Sequence, residues 1–168
     1  MGVGNFEIFG LQMVLSFVVY GLIARWYVAP WLARFPFHEA FIPLLLVHAL
    51  RHLGVTILVP TVTSPDLPRA WAAQVAYGDL LAALLALLSI LALRARASFA
   101  VALVWIFNLE GTLDLVNALY QGLRLGATEF DVGSFWYVPT FIVPALFVTH
   151  FMMFAMLVRG PREARATR

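Results

Sequence analysis

Cysteine is absent from this chain, and so is lysine: all 11 basic residues among its 168 are arginine. The first absence excludes thiol redox chemistry, disulfides, cysteine-ligated metal and palmitoyl anchoring. The second excludes a Schiff base, and with it any retinal-type chromophore. Charge of either sign is scarce, at 12% of residues against 62% hydrophobic, with a mean hydropathy of +0.89. A soluble domain is about half apolar and a quarter charged, so a multidomain enzyme, a disordered chain and a secreted disulfide scaffold are excluded. The opening MGVGNFEIFG has no basic n-region and carries Glu7, so no cleavable signal peptide is expected. The net charge of +2 gives no reason to expect a nucleic-acid partner, because the arginines flank apolar segments and read as orientation charges.

Five apolar segments fill the chain, at about 6–24, 40–62, 70–93, 98–122 and 135–158. Each approaches or exceeds the roughly 20 residues that cross a bilayer as a helix. The expected fold is an all-α integral membrane protein, a single transmembrane domain over 1–168 built as a bundle of five helices. Between the first two segments, RWYVAPWLARFPFH mixes aromatic rings, Arg25, Arg34 and two prolines, a composition suited to the headgroup region. With the N-terminus outside, eight arginines fall inside (Arg25, Arg34, Arg94, Arg96, Arg159, Arg162, Arg165 and Arg168) and two outside (Arg69 and Arg124). The positive-inside rule then gives an N-out, C-in protein of a cell membrane, such as a bacterial inner membrane, with residues 159–168 as a basic cytoplasmic tail. The lipid bilayer is its first expected partner.

Ionisable residues inside apolar spans are costly unless they pair or face a cavity, so they carry the functional signal. At α-helical spacing His48, Arg51 and His52 fit within about 100° of arc. Glu110, Asp114, Asn117 and Gln121 form a polar stripe on the fourth segment. Asp79 is the only charge inside the third, followed on its face by Ala82, Ala83 and Ala86, a small-residue pattern that brings a neighbouring helix close. His150 stands among Phe147, Met153 and Phe154 on the fifth. Counting about 1.5 Å per residue from the helix ends brings His48 and His150 to one depth, with Arg51, His52, Asp79 and Glu110 near the midplane and Asp114 slightly further out. Arg51 is expected to pair with at least one of Asp79, Glu110 and Asp114. The remaining acids, together with the imidazoles, make the site bind protons or a cation.

Three functions fit these residues. The first is proton-linked translocation or binding of a small solute along His48, Arg51, His52, Asp79, Glu110, Asp114, Asn117 and His150. Pro139 and Pro144 would kink the fifth helix beside that path. Five helices are few for alternating access, which favours a homo-oligomer. The second is a divalent metal or haem site, enzymatic or not, using His48, His52 and His150, since H-x-x-x-H sits on one α-helical face. The zinc-protease version needs Glu after the first His, where this chain has Ala49. The third is a structural or assembly subunit whose buried network fixes helix register, or a binder of a lipid-like ligand. Length and span number resemble the tryptophan-rich sensory protein/translocator family, which implies porphyrin or sterol binding. The Trp- and Pro-rich first connection is loosely similar, but the Trp/Asn signatures of that family's middle helices are missing, so no residue role is carried over.

Overall fold

The computed structural model describes residues 4–160, and among them all regular secondary structure is helical. Of the expected tail, residues 161–168, with Arg162, Arg165 and Arg168, lie outside the described residues. Among the described residues five helices are long and apolar enough to cross a membrane: α1 (Asn5–Leu32), α2 (Phe37–Leu58), α3 (Arg69–Arg94), α4 (Ala100–Arg124) and α5 (Gly133–Arg159).

Two boundaries differ from the sequence expectation. Residues 25–32, expected to connect the first two spans in the headgroup region, continue α1 as helix. Continuation is achieved by a π turn over Ala24–Val28, where the N–H of Ala29 donates to the carbonyl of Ala24. Pro30 follows two residues later and has no N–H to give to the helix. α5 repeats the device: a π turn spans Val138–Ile142, the N–H of Val143 donates to Val138, and Pro144 follows at the same offset. In both helices the wider turn accommodates a proline that would otherwise break the ladder. At the second boundary, α2 ends at Leu58 and not near residue 62. Val59 precedes Pro60 and is extended, at φ −80 and ψ 116, as the proline ring requires of its neighbour.

α2 also changes its winding midway. It is α-helical over Ile42–Ala49 and then 3-10 over Leu50–Leu58. Nine residues is a long run for a 3-10 helix, whose side chains at i and i+3 eclipse. Its buried positions follow that period: Arg51, Gly54 and Ile57 form one inward row.

α3 is the centre of the packing, with α2 on one side and α4 on the other. Its inward face is small, including the fully buried Ala76, Ala82 and Ala86, so neighbouring backbones approach closely. α5 packs on α4 and α2, and α1 lies against the outside of α5. That last contact is aromatic: Phe9 meets Trp136, Phe17 meets Phe147 and Tyr20 meets Phe141 at ring-centroid distances of 5.4–6.0 Å. Gln12 Oε1 accepts from Trp136 Nε1 at 2.6 Å, so Gln12 and Tyr20, two of a four-residue-spaced polar series, face a partner helix.

Two apolar layers result. One holds Phe41, Leu45, Phe107 and Met153, at the end where α2 and α4 begin and α3 and α5 finish. The other holds Ile57, Leu67, Val75 and Phe135, at the opposite end. There the connections are tied down: the N–H of Ser64 donates to Asp131 O at 2.7 Å, and Asn5 Nδ2 donates to Thr128 O at 3.2 Å. The buried charged side chains of Arg51 and Asp79 lie between the layers.

Candidate functional site

Arg51 is the hub of the site. Its Nε donates to Asp79 Oδ1 of α3 at 2.8 Å, its Nη1 to the carbonyl of Gly111 on α4 at 3.1 Å, and its Nη2 to Asp114 Oδ2 of α4 at 2.6 Å. The rigid guanidinium fork thus joins three helices, with its side chain fully buried. The expected pairing with at least one acid is met by two, Asp79 and Asp114.

Three glycines make the room. A Cβ at Gly54 of α2 would run into the Asp79 carboxylate, and one at Gly78 of α3 would run into that of Asp114. A Cβ at Gly111 of α4 would lie 2.8 Å from Arg51 Nη1 and 3.0 Å from His150 Nε2. Each charged group is therefore seated over the bare backbone of a neighbouring helix, where no larger residue leaves space.

Beside the arginine stand two imidazoles. His48 of α2 and His150 of α5 are fully buried, their ring centroids 4.1 Å apart, with Phe107 against both. Asn108 Nδ2 lies 3.4 Å from the carbonyl of His150, which turns its Oδ1 toward the ring. His150 Nδ1 accordingly donates to Asn108 Oδ1 at 2.7 Å, and Nε2 carries the lone pair. His48 Nε2 lies 2.9 Å from Thr149 Oγ1, an oxygen also within hydrogen-bond distance of the carbonyls of Ala145 and Leu146. With the Thr149 proton on either carbonyl, His48 donates through Nε2 and keeps its lone pair on Nδ1; with that proton on Nε2, Nδ1 is the donor. Among the described residues, His48 Nδ1, His150 Nε2 and Glu110 Oε2 are buried atoms without a hydrogen-bond partner. One guanidinium thus faces two bonded carboxylates, with Glu110 on the turn before Asp114 and three buried atoms of imidazole and carboxyl groups left without a partner.

A cleft of about 150 Å³ leads to this cluster between α2 and α5. Leu50, Leu53 and Ile142 line it, with Arg51, Gly54 and Asp79 at its inner end.

The structure brings together His48, Arg51, Asp79, Asp114 and His150 and sets half-buried Glu110 at their edge. His52 and Asn117 are exposed. His52 turns away because a 3-10 helix advances roughly 120° per residue, not 100°. That winding aligns Arg51 with the row below His48 and rotates His52 off it, where Nδ1 lies 2.8 Å from Ala49 O. The trio His48, His52 and His150 considered for a metal is not assembled, and among the described residues no group of three His, Asp or Glu converges on a metal position. The contact between the His48 and His150 rings also leaves no gap for a macrocycle between them.

Sequence reasoning missed Asn108, Thr149 and the glycines. Asn108 had a signal, since with Gly111 and Leu115 it forms the i, i+3, i+7 row that α4 buries. The glycines had a weaker one: Gly78 precedes Asp79 and Gly111 follows Glu110.

Fold and site define a chain with five long apolar helices among its described residues, four of which, α2 to α5, carry a buried His/Arg/carboxylate network. The chain belongs to the family described as Domain of unknown function (DUF8737), whose model matches residues 8–158. No curated protein and no solved structure matches it.

Proposed function

We propose that this chain is an integral membrane protein of a cell membrane, a single transmembrane domain oriented N-out and C-in. Its function in this reading is to bind protons at the Arg51–Asp79–Asp114 network and the His48–His150 pair, and to couple them to the movement or binding of a small solute. The carrying observation is the set of unpartnered imidazole and carboxyl atoms, His48 Nδ1, His150 Nε2 and Glu110 Oε2, buried beside one guanidinium and two carboxylates. A buried polar atom with no partner is costly, and a site that keeps three of them on imidazole and carboxyl groups is suited to exchanging protons.

The surroundings support a closed state. Phe41, Leu45, Phe107 and Met153 separate the imidazoles from the arginine-rich ends of the helices. A proton entering from the other face would stop at the imidazoles until that apolar layer opened. The non-α segments, 3-10 in α2 and π in α5, are where helices of this kind rewind at little cost.

The test is reconstitution in liposomes with an internal pH dye under an imposed proton gradient. Wild-type protein should acidify the lumen faster than empty vesicles. His48→Ala and Asp114→Asn should abolish the difference while the purified variants stay monodisperse in detergent. If both variants lose folding and activity together, the network only fixes helix register. Equal rates with wild-type protein and with empty vesicles remove proton movement.

A further inference from the structure

The cleft between α2 and α5 has chemistry of its own. Its outer lip is formed by Val47, Leu50 and Leu53, all exposed large aliphatic residues, so it opens sideways on the apolar flank of the bundle and not at an aqueous end. Its walls are irregular: Leu50, Leu53 and Gly54 belong to the 3-10 stretch of α2, while Val138 and Ile142 belong to the π turn of α5. At its inner end lies Asp79, whose Oδ1 accepts from Arg51 while its Oδ2 lies over the bare Cα of Gly54, itself a wall of the cleft.

Size and charge limit the occupant. A cavity of about 150 Å³ takes one benzene-sized group. Arg51 already commits three of its five N–H groups to Asp79, Gly111 and Asp114, and its charge is faced by two carboxylates, so an anion would be repelled by them. The formal balance of Arg51 against Asp79, Asp114 and Glu110 is negative. A donor that carries positive charge completes it, and a donor that carries none does so less well.

We propose that the cleft binds a lipophilic ammonium ion, its ring-sized apolar part between α2 and α5 and its N–H donating to Asp79 Oδ2, with entry from the side of the bundle. This names the solute class of the site read above and rests on that reading. Binding adds one positive charge where a proton would otherwise sit, so cation and proton compete for the same carboxylates.

The probes are 2-phenylethylammonium, the neutral 2-phenylethanol and the anionic phenylacetate, titrated calorimetrically into the full-length protein in lipid nanodiscs. The ammonium should bind about tenfold tighter than the alcohol, the worth of one charge-assisted hydrogen bond, and phenylacetate should not bind. Asp79→Asn should bring ammonium and alcohol to equal affinity. Because that variant can fail to fold, Ala145→Leu provides the second arm. It fills the cleft from α5 and should weaken ammonium binding about tenfold in a protein with unchanged helical content. Alcohol binding as tight as the ammonium overturns the proposal, as does phenylacetate binding, an unaffected Ala145→Leu, or no binding of any probe at millimolar concentration. The liposome assay separates the two readings. Ammonium binding without proton flux keeps the ligand class and removes translocation, and proton flux without ammonium binding does the reverse.

Discussion

His48 and His150, 102 residues apart in sequence, hold their imidazole rings in direct contact, with centroids 4.1 Å apart. Neither ring is held by a charge; Thr149 fixes one and Asn108 the other. Asn108→Leu should therefore strand the N–H of His150 Nδ1 inside the core and destabilise the protein by about 1–3 kcal/mol. Thr149→Val, which leaves His48 Nε2 unbonded, should cost about the same. Unfolding in mixed micelles by SDS titration checks both, and a change within error would mean the imidazoles are held by packing alone.

Arg51→Leu should be among the worst-tolerated substitutions in the chain. It leaves the Asp79 and Asp114 carboxylates buried without their cation, a loss of about 3–5 kcal/mol. Arg51→Lys keeps the charge but cannot reach three acceptors on two helices with one ammonium, so its stability should fall between Leu and wild type. Thermal unfolding in detergent gives the order, and equal loss for Leu and Lys would show that the fork geometry, not charge, is what matters.

The glycines should divide into two groups. Gly54→Ala and Gly78→Ala push a methyl group into the Asp79 and Asp114 carboxylates and should each destabilise by about 1–3 kcal/mol. Gly10→Ala and Gly21→Ala, on α1 with open space around them, should be neutral or stabilising by about 0.5–1 kcal/mol. The same thermal assay on all four variants tests the seating of the charges over bare backbone.

Arg96 closes α3 in a left-handed conformation at φ 52, where an L side chain is strained. Arg96→Gly should raise stability by about 0.5–1 kcal/mol without touching the site. An unchanged or lower melting temperature would show that the arginine side chain contributes more than its backbone costs.

Orientation is checked by reporter fusions after Arg96 and after Arg168. Both should report cytoplasm under the N-out, C-in reading, and a periplasmic signal at either position overturns it.

The number of long apolar helices and the identity of five clustered polar residues were legible from the sequence. Apolar run length sets the helices, and a charge inside such a run needs a partner wherever it sits. What the sequence left undecided is angular. His52 and Arg51 are neighbours with equal claims on an α-helical face, and only the 3-10 winding of α2 against α3 turns one out and the other in. Asn117 lay on the expected stripe, yet α4 buries the row of Asn108, Gly111 and Leu115. A helix's rotation and winding are chosen by how closely its neighbours approach, and that approach depends on glycines and alanines distributed over three helices. Composition and periodicity are properties of one segment at a time. The site belongs to the contacts between segments, and only the tertiary structure decides those.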